Sequence, residues 1–140
     1  MSFFQIGNIN KVNKKLEKMI TPKLVKSKIR DSVQMVEKEV KQSLQRGGTG
    51  QTYEKYKPRR THTASAAGQP PATDTGDLVR SISIEVKERP KMIEGRLIVG
   101  EDYAIHLEYG TTNMQARPFL QPAFEKSKPK IKAKFAKGVL

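Results

Sequence analysis

The sequence predicts a single α+β domain in which helices pack on a small antiparallel sheet. Apolar residues recur at helical spacing from Pro22 to Gln45, and a second helical period starts at Pro118. Between them, two short stretches around Ile84 and Ile98 alternate apolar and polar residues as half-buried strands do. A chain of 140 residues is long enough for one core of modest size. We therefore predict N-terminal helices over 1–46, a flexible arm over 47–76, a core of sheet and helix over 77–125, and a basic tail over 126–140.

The N-terminal segment predicts two helices. Residues 1–20 carry apolar side chains at steps of three or four with lysines between them. Thr21 is a favourable N-cap and Pro22 a favourable first helical residue, so a second helix is expected from Pro22 to Gln45, ended by Gly47-Gly48. The apolar stripe of this helix is Val25, Ile29, Val33, Val36, Val40 and Leu44.

Residues 47–76 show no hydrophobic period. A structureless stretch of this length is uncommon within a compact domain, so we expect a projecting arm that becomes ordered against a neighbour. The alternative is a flexible insertion. Tyr53 and Tyr56 alternate with basic residues, which suits stacking on bases, a protein interface or a solvated loop. The basic residues of the arm that could contact DNA or a partner are Lys55, Lys57, Arg59 and Arg60.

A hairpin is predicted after the arm. Asp74 is expected to cap one helical turn that carries Leu78. Ile82–Val86 and Arg96–Val99 then form antiparallel strands, with the connection marked by Arg89-Pro90 and Glu94-Gly95. Because two strands alone are marginally stable, the hairpin must pack on the long helix, gain strands from the 111–117 region, or pair across a subunit boundary.

The stretch from Tyr103 to Ala123 predicts a fixed corner between two helical pieces. Tyr103, Ala104, Leu107 and also Ile105 can form one buried side of a short helix, and Gly110 can end it in a left-handed conformation. Pro118 suits the first turn of a new helix that starts with Phe119 and Leu120. A proline inside that helix, Pro129, is expected to kink or split it, leaving a basic tail.

The charge of the chain makes a polyanion a candidate partner. The sequence has 27 Lys and Arg against 14 Asp and Glu, a formal net charge of +13. Binding to nucleic acid is driven largely by counterion release from phosphates, although a solvated basic face gives the same composition. The tail residues that could contact DNA or a partner are Lys126, Lys130 and Lys134. On the acidic side, Glu101, Asp102 and Glu108 could pair with basic residues of a neighbouring copy or be ordinary surface charge.

Catalytic and metal-binding patterns are missing from the sequence. Without cysteine there are no disulfides or thiolate ligands. Asp102 and His106 would share a helix face, but a metal site needs three or four ligands. No serine is framed as a nucleophile elbow, and no glycine-rich loop has the pattern that cradles phosphate. We expect neither enzyme activity nor a cofactor, and the lack of a membrane span or secretion signal predicts a chain made in the cytoplasm.

Two stretches together resemble the neck and tail-completion proteins of long-tailed bacteriophages and prophages. The downstream stretch carries Tyr103, Ala104, Glu108, Tyr109, Gly110, Thr111, Met114, Ala116, Arg117, Pro118, Phe119, Leu120, Pro122 and Ala123. The upstream stretch carries Gly68, Gln69, Pro70, Pro71, Ala72, Asp74, Thr75, Gly76, Asp77 and Leu78, followed by Ser81-Ile82. The likeness covers about residues 65–125; within it, His106 and Gln115 replace an expected aromatic or aliphatic residue and a proline.

The resemblance implies a virion structural protein. Such a protein would form a homo-oligomeric ring in the head-to-tail connection, assembled in the host cytoplasm. Six copies is the first expectation for this ring, and twelve is the alternative. Its partners would be the head-closure or connector proteins on one side and the tail tube or tail terminator on the other, with non-specific contact to double-stranded DNA in the channel. The alternative function is a small basic nucleic-acid-binding protein that uses the arm and tail on phosphates.

Overall fold

The computed structural model describes residues 21–56 and 59–137, and gives only the backbone of Tyr56, Arg59 and Arg60. In chain order, the elements are α1 Pro22–Gln45, β1 Thr52–Tyr56, β2 Arg59–Thr63, α2 Asp77–Arg80, β3 Ile82–Arg89, β4 Met92–Val99, α3 Ala104–Tyr109 and α4 Leu120–Lys137. The predicted α+β class is confirmed, since the described residues form helices and two separate two-stranded antiparallel sheets. The helix predicted within 1–20 lies outside the described residues.

Helix α1 is the central element of the core. The Thr21 hydroxyl accepts the backbone N–H of Leu24 at 3.2 Å and Pro22 opens the first turn, as predicted. One continuous stripe of α1 is buried, formed by Val25, Ile29, Val33, Val36, Val40 and Leu44. The helix packs against both the β3–β4 hairpin and α4, so both elements are positioned by this stripe.

The β3–β4 hairpin is confirmed and is longer than predicted. Its register runs from Ile82 opposite Val99 to Arg89 opposite Met92. The predicted connection at Glu94-Gly95 is wrong, because both residues lie inside β4. A Cβ on Gly95 would lie 2.4 Å from Cγ2 of Val33 and 2.7 Å from Cγ2 of Ile29, so the glycine allows the strand to approach α1 closely. Of the three ways to stabilise the hairpin, packing on the long helix is therefore the one observed.

The predicted structureless arm is wrong for residues 52–56 and 59–63. These residues form the antiparallel β1–β2 hairpin, with Thr52 opposite Thr63 and Tyr56 opposite Arg59. The strands contain almost no apolar residues, so no alternation reveals them. The predicted capping role of Asp74 is also wrong: Gly76 occupies the N-cap position of α2. The Asp74 carboxylate pairs with Lys55 instead, which ties β1 to the body of the domain.

Helix α4 differs from prediction at both ends. It begins at Leu120, two residues after Pro118, and it continues through Pro129 to Lys137. Its contacts with α1 lie on both sides of the proline, and Ile131 beyond it is buried. The expected break at Pro129 is therefore wrong, because packing on α1 holds the helix where Pro129 removes one hydrogen bond. Most of the predicted basic tail is a core-packed helix.

Candidate functional site

The start of α4 is capped by the side chain of Glu108, which lies in α3. One carboxylate oxygen of Glu108 accepts the backbone N–H groups of Phe119 at 2.9 Å and Leu120 at 3.0 Å. The other oxygen accepts that of Gln121 at 2.9 Å. A helix leaves four N–H groups without intrahelical partners at its start, and the fourth position here is Pro122, which has no N–H. Every free amide of the first turn is thus accounted for.

A distant residue takes the capping role because the segment before α4 has no capping residue of its own. Residues 116–119 read Ala-Arg-Pro-Phe, without the Ser, Thr, Asp or Asn that usually fills this position. The Glu108 residue is only 7% exposed, so it stabilises the fold internally. The interpretation of Glu108 as a charge that meets a neighbouring copy is therefore wrong. An uncapped helix start preceded by a carboxylate on a short helix is the sequence signal that indicates this arrangement.

The corner between α3 and α4 is further held by backbone hydrogen bonds. The N–H of Arg117 donates to the carbonyl of Leu107 at 2.7 Å, and the N–H of Gly110 donates to His106 at 2.8 Å. Gly110 has φ +77°, and a Cβ there would lie 2.8 Å from the backbone nitrogen of Ala116. The predicted fixed corner is observed, and Gly110 ends α3 as predicted. Its ψ of 177° differs from the left-handed helical conformation expected there.

The loop between α3 and α4 is closed by backbone hydrogen bonds, and several residues on either side of it are buried. Thr111 and Met114 exchange two backbone hydrogen bonds of 2.8 and 3.3 Å across the loop. Ala104, Phe119 and Leu120 are fully buried. Tyr103 and Ile105 differ from prediction, since they are 44% and 43% exposed instead of lying on a buried side.

The upstream stretch of the resemblance contacts the same corner. The backbone N–H of Gly68 donates to the carbonyl of Ala116 at 3.1 Å, just before α4. The Gln69 side-chain oxygen accepts the Thr49 hydroxyl at 2.7 Å, which holds this turn. Pro71 is buried beside it and Pro70 is half-buried. The structure thus brings together the two stretches, which are separated by more than twenty residues in sequence.

A cleft of about 210 Å³ lies between these two stretches and the end of α1. The residues that line it include Leu44, Pro71, Leu78, Tyr103, Leu107 and Arg117. The Ser65 hydroxyl is buried at the cleft, and among the described residues it has no hydrogen-bond partner. Burial, followed by the negative charges of Glu101 and Asp77, raises the pKa of the Tyr103 phenol.

The outer side of the corner is exposed and apolar. Ile105 is 43% exposed and Tyr109 is 69% exposed, and the two lie one helical turn apart on α3. Asp102 precedes Ile105 by three residues and His106 follows it, both exposed. We call these four residues, Asp102, Ile105, His106 and Tyr109, the α3 face. Because Glu108 and Gly110 fix the helix behind it, the α3 face is a rigid surface.

Among the predicted basic contact residues whose side chains are described, most are paired with acidic residues of the same chain. Lys55 pairs with Asp74, Lys126 pairs with Glu39, and Lys134 pairs with Asp31 at 2.8 Å. The last two pairs join α4 to α1 and so serve the fold. Lys57 lies outside the described residues, and for Arg59 and Arg60 the backbone alone is described. Lys130 is exposed and forms no ion pair within residues 21–56 and 59–137.

The ion pair between Glu39 and Lys126 is the clearest electrostatic contact between α1 and α4. Hydrogen bonding by Lys126 holds the pKa of the Glu39 carboxyl below its usual value, aided by the positive charges of Lys126, Arg46 and Lys130 and opposed by burial. Arg46 also approaches the same carboxylate at 3.5 Å. This cluster therefore links α1 and α4 at the surface of the domain.

The described part of the chain contains no cluster of three or more His, Cys, Asp or Glu residues arranged to hold a metal ion. Asp102 and His106, the pair considered from sequence, are both exposed. Within the same ranges no helix has the length and apolar character needed to cross a membrane. Comparisons with protein-family models, with curated proteins and with solved structures find no match to this chain.

Proposed function

We propose that the chain is a structural subunit of a ring in the neck of a tailed bacteriophage, joining the tail to the head around the DNA channel. The observation that carries the proposal is the convergence of the two resembling stretches: Gly68 donates to Ala116 beside the start of α4 that Glu108 caps. The roles implied by the resemblance are those of binding and positioning, so the proposed subunit performs no catalysis. It would act in the virion after assembly in the host cytoplasm.

The α3 face has the properties that an assembly surface requires. Tyrosine and other large apolar side chains are enriched at the centres of protein interfaces. Tyr109 and Ile105 are exposed on a helix whose C-terminal part is hydrogen-bonded to the segment that starts α4. Because the surface is already ordered, little conformational entropy is lost when a partner binds. Head-closure or connector proteins, tail proteins and further copies of this chain are the proposed partners.

The charge of the chain suits a position around DNA. Lys130, Lys132 and Lys137 of α4 are exposed, and they form no ion pair with any described residue. Lysines in a channel hold the phosphate backbone without reading the base sequence. The same residues could instead contact acidic surfaces of neighbouring rings.

Imaging of the purified chain by negative-stain electron microscopy tests this proposal. We expect closed rings, with six copies as the first expectation and twelve as the other closed form. Particles of a single chain at every protein and salt concentration would contradict the proposed self-assembling ring.

The second candidate function is a small basic nucleic-acid-binding protein. The exposed lysines of α4 favour it, because several unpaired cations on one helix attract phosphates. A monomer whose affinity for double-stranded DNA falls steeply with salt would support this candidate over the ring. Rings that bind DNA weakly or not at all would argue against it.

A further inference from the structure

We propose that neighbouring subunits meet through the α3 face of one copy and the exposed side of α4 of the next copy. This inference rests on the proposed ring function and names the contact that would close the ring. We call the exposed residues of the second surface the α4 face; they are Lys130, Lys132, Ala133, Ala136 and Lys137. At 100° per residue these five positions occupy one continuous arc of the helix.

The α3 face belongs to an acidic part of a basic chain. Between Arg96 and Arg117 the sequence has no Lys or Arg, whereas it has Glu101, Asp102 and Glu108. Glu108 is committed to capping α4. Neither of the other two carboxylates forms an ion pair among the described residues, and Asp102 is exposed. A negative charge thus stands beside two exposed apolar side chains.

The α4 face has the opposite character. From Lys126 to Lys137, both included, there are six lysines and no acidic residue. Lys126 and Lys134 are used in pairs with α1, which leaves the lysines of the α4 face without an intrachain acidic partner in the described ranges. Ala133 and Ala136 make this surface shallow between the lysines, so flat groups such as the Tyr109 ring and the Ile105 side chain can pack there.

The two faces are separate within one chain. Lys130 lies ten residues beyond the first residue of α4, or about 15 Å along the helix. None of the ion pairs within the described ranges joins the two faces. Since each face is charged and unpaired in a single copy, pairing them requires a second copy.

The contact is heterologous, because two different surfaces meet. Repetition of a heterologous contact produces a closed ring when its rotation divides a full turn, and otherwise an open filament. Two copies of the same face would bring like charges together, so the pairing of two identical faces is disfavoured. The inferred contact therefore accounts for a ring in preference to a two-fold dimer.

A charge exchange between the faces tests the inference. We expect Asp102→Lys and Lys132→Glu each to raise the protein concentration at half-assembly by about tenfold or more, because like charges then face each other. The double variant restores the opposite charges, so we expect its half-assembly concentration to return to within about threefold of the wild-type value. Lys38→Glu is the matched control for Lys132→Glu. It makes the same change in net charge at an exposed position of α1 and should leave assembly nearly unchanged.

A second measurement uses the unmodified sequence. A carbodiimide reagent joins a carboxylate to an amine only when the two are in contact, and mixing isotopically light and heavy chains identifies links between copies. We expect an intermolecular link from Asp102 to a lysine of the α4 face. Wild-type rings that lack this link and are insensitive to both charge reversals would overturn the inference while leaving the ring function in place. A chain that never leaves the monomeric state would overturn both.

Discussion

The carboxylate of Glu108 accepts the backbone N–H of Phe119 at 2.9 Å, and this contact joins the two helices of the corner. Glu108 lies near the end of α3, and Phe119 immediately precedes α4. The same side chain satisfies the next two amides, so one buried residue sets both the start and the direction of the last helix. The exposed α3 face lies on the outer side of this connection.

Replacement of Glu108 by alanine is expected to destabilise the fold by about 2–3 kcal/mol, since buried N–H groups at the start of α4 lose a charged acceptor. Urea denaturation of the purified chain measures the change. Asp102→Ala is the control, because that nearby carboxylate is exposed and a surface substitution should change stability by less than about 0.5 kcal/mol. Equal effects of the two substitutions would mean that the cap contributes nothing specific.

Replacement of Phe119 by alanine is expected to cost about 3–5 kcal/mol, because the side chain is fully buried and its removal leaves a cavity. Thermal and denaturant unfolding both report this loss. Tyr109→Ala is the matched aromatic control: its side chain is 69% exposed, so the folded monomer should be nearly unaffected. An unchanged unfolding midpoint for the Phe119 variant would show that the corner is not part of the core.

Replacement of Gly95 by alanine is expected to destabilise the chain by about 1–3 kcal/mol, because the new Cβ would overlap Val33 and Ile29 and push α1 away from β4. Gly100→Ala is the comparison, since its Cβ would make ordinary contact with Ser81 at 3.4 Å. Circular dichroism during denaturation separates the two variants. If both tolerate alanine equally, α1 and β4 do not approach as closely as described.

The pair between Glu39 and Lys126 predicts a dependence of stability on pH. The pKa of Glu39 is lowered in the folded state, chiefly by its hydrogen bond with Lys126, so its contribution is complete above the unfolded pKa. That contribution is lost as the pH falls from about 5 through the folded pKa. The stability difference between the wild type and Glu39→Gln should therefore shrink in acid. Lys126→Met should reduce this pH-dependent difference, with a remainder due to Arg46 and Lys130, and a difference that is constant with pH would contradict the assignment.

Much of the core follows from local patterns in the sequence. The stripe of α1 repeats at helical spacing, and Thr21-Pro22 and Gly47-Gly48 mark its ends, so both the helix and its boundaries are predictable. The alternation at Ile82–Val86 likewise predicts β3. Each of these elements buries one face, and the spacing of apolar residues predicts a helix or strand only where one face is buried.

The remaining features depend on contacts that are distant in sequence. The β1–β2 hairpin has polar residues on both sides, so alternation gives no signal. The path of α4 through Pro129 is set by its packing on α1, which no local pattern encodes. The role of Glu108 depends on a helix start eleven residues later, and only the lack of a local cap there indicates it. At the corner, sequence therefore predicts the buried residues but not the interaction that fixes them.

The mass of the purified chain in solution, measured by light scattering over a range of protein concentrations, tests the ring proposal most directly. We predict a large species whose mass corresponds to a whole number of chains. Six chains per ring is the first expectation, and twelve is the alternative. Tyr109→Ser should shift this species toward the mass of one chain without changing the unfolding midpoint. Wild-type protein that keeps the mass of one chain at every concentration would contradict the proposal, and a steep, salt-dependent affinity of that monomer for DNA would favour the nucleic-acid-binding alternative.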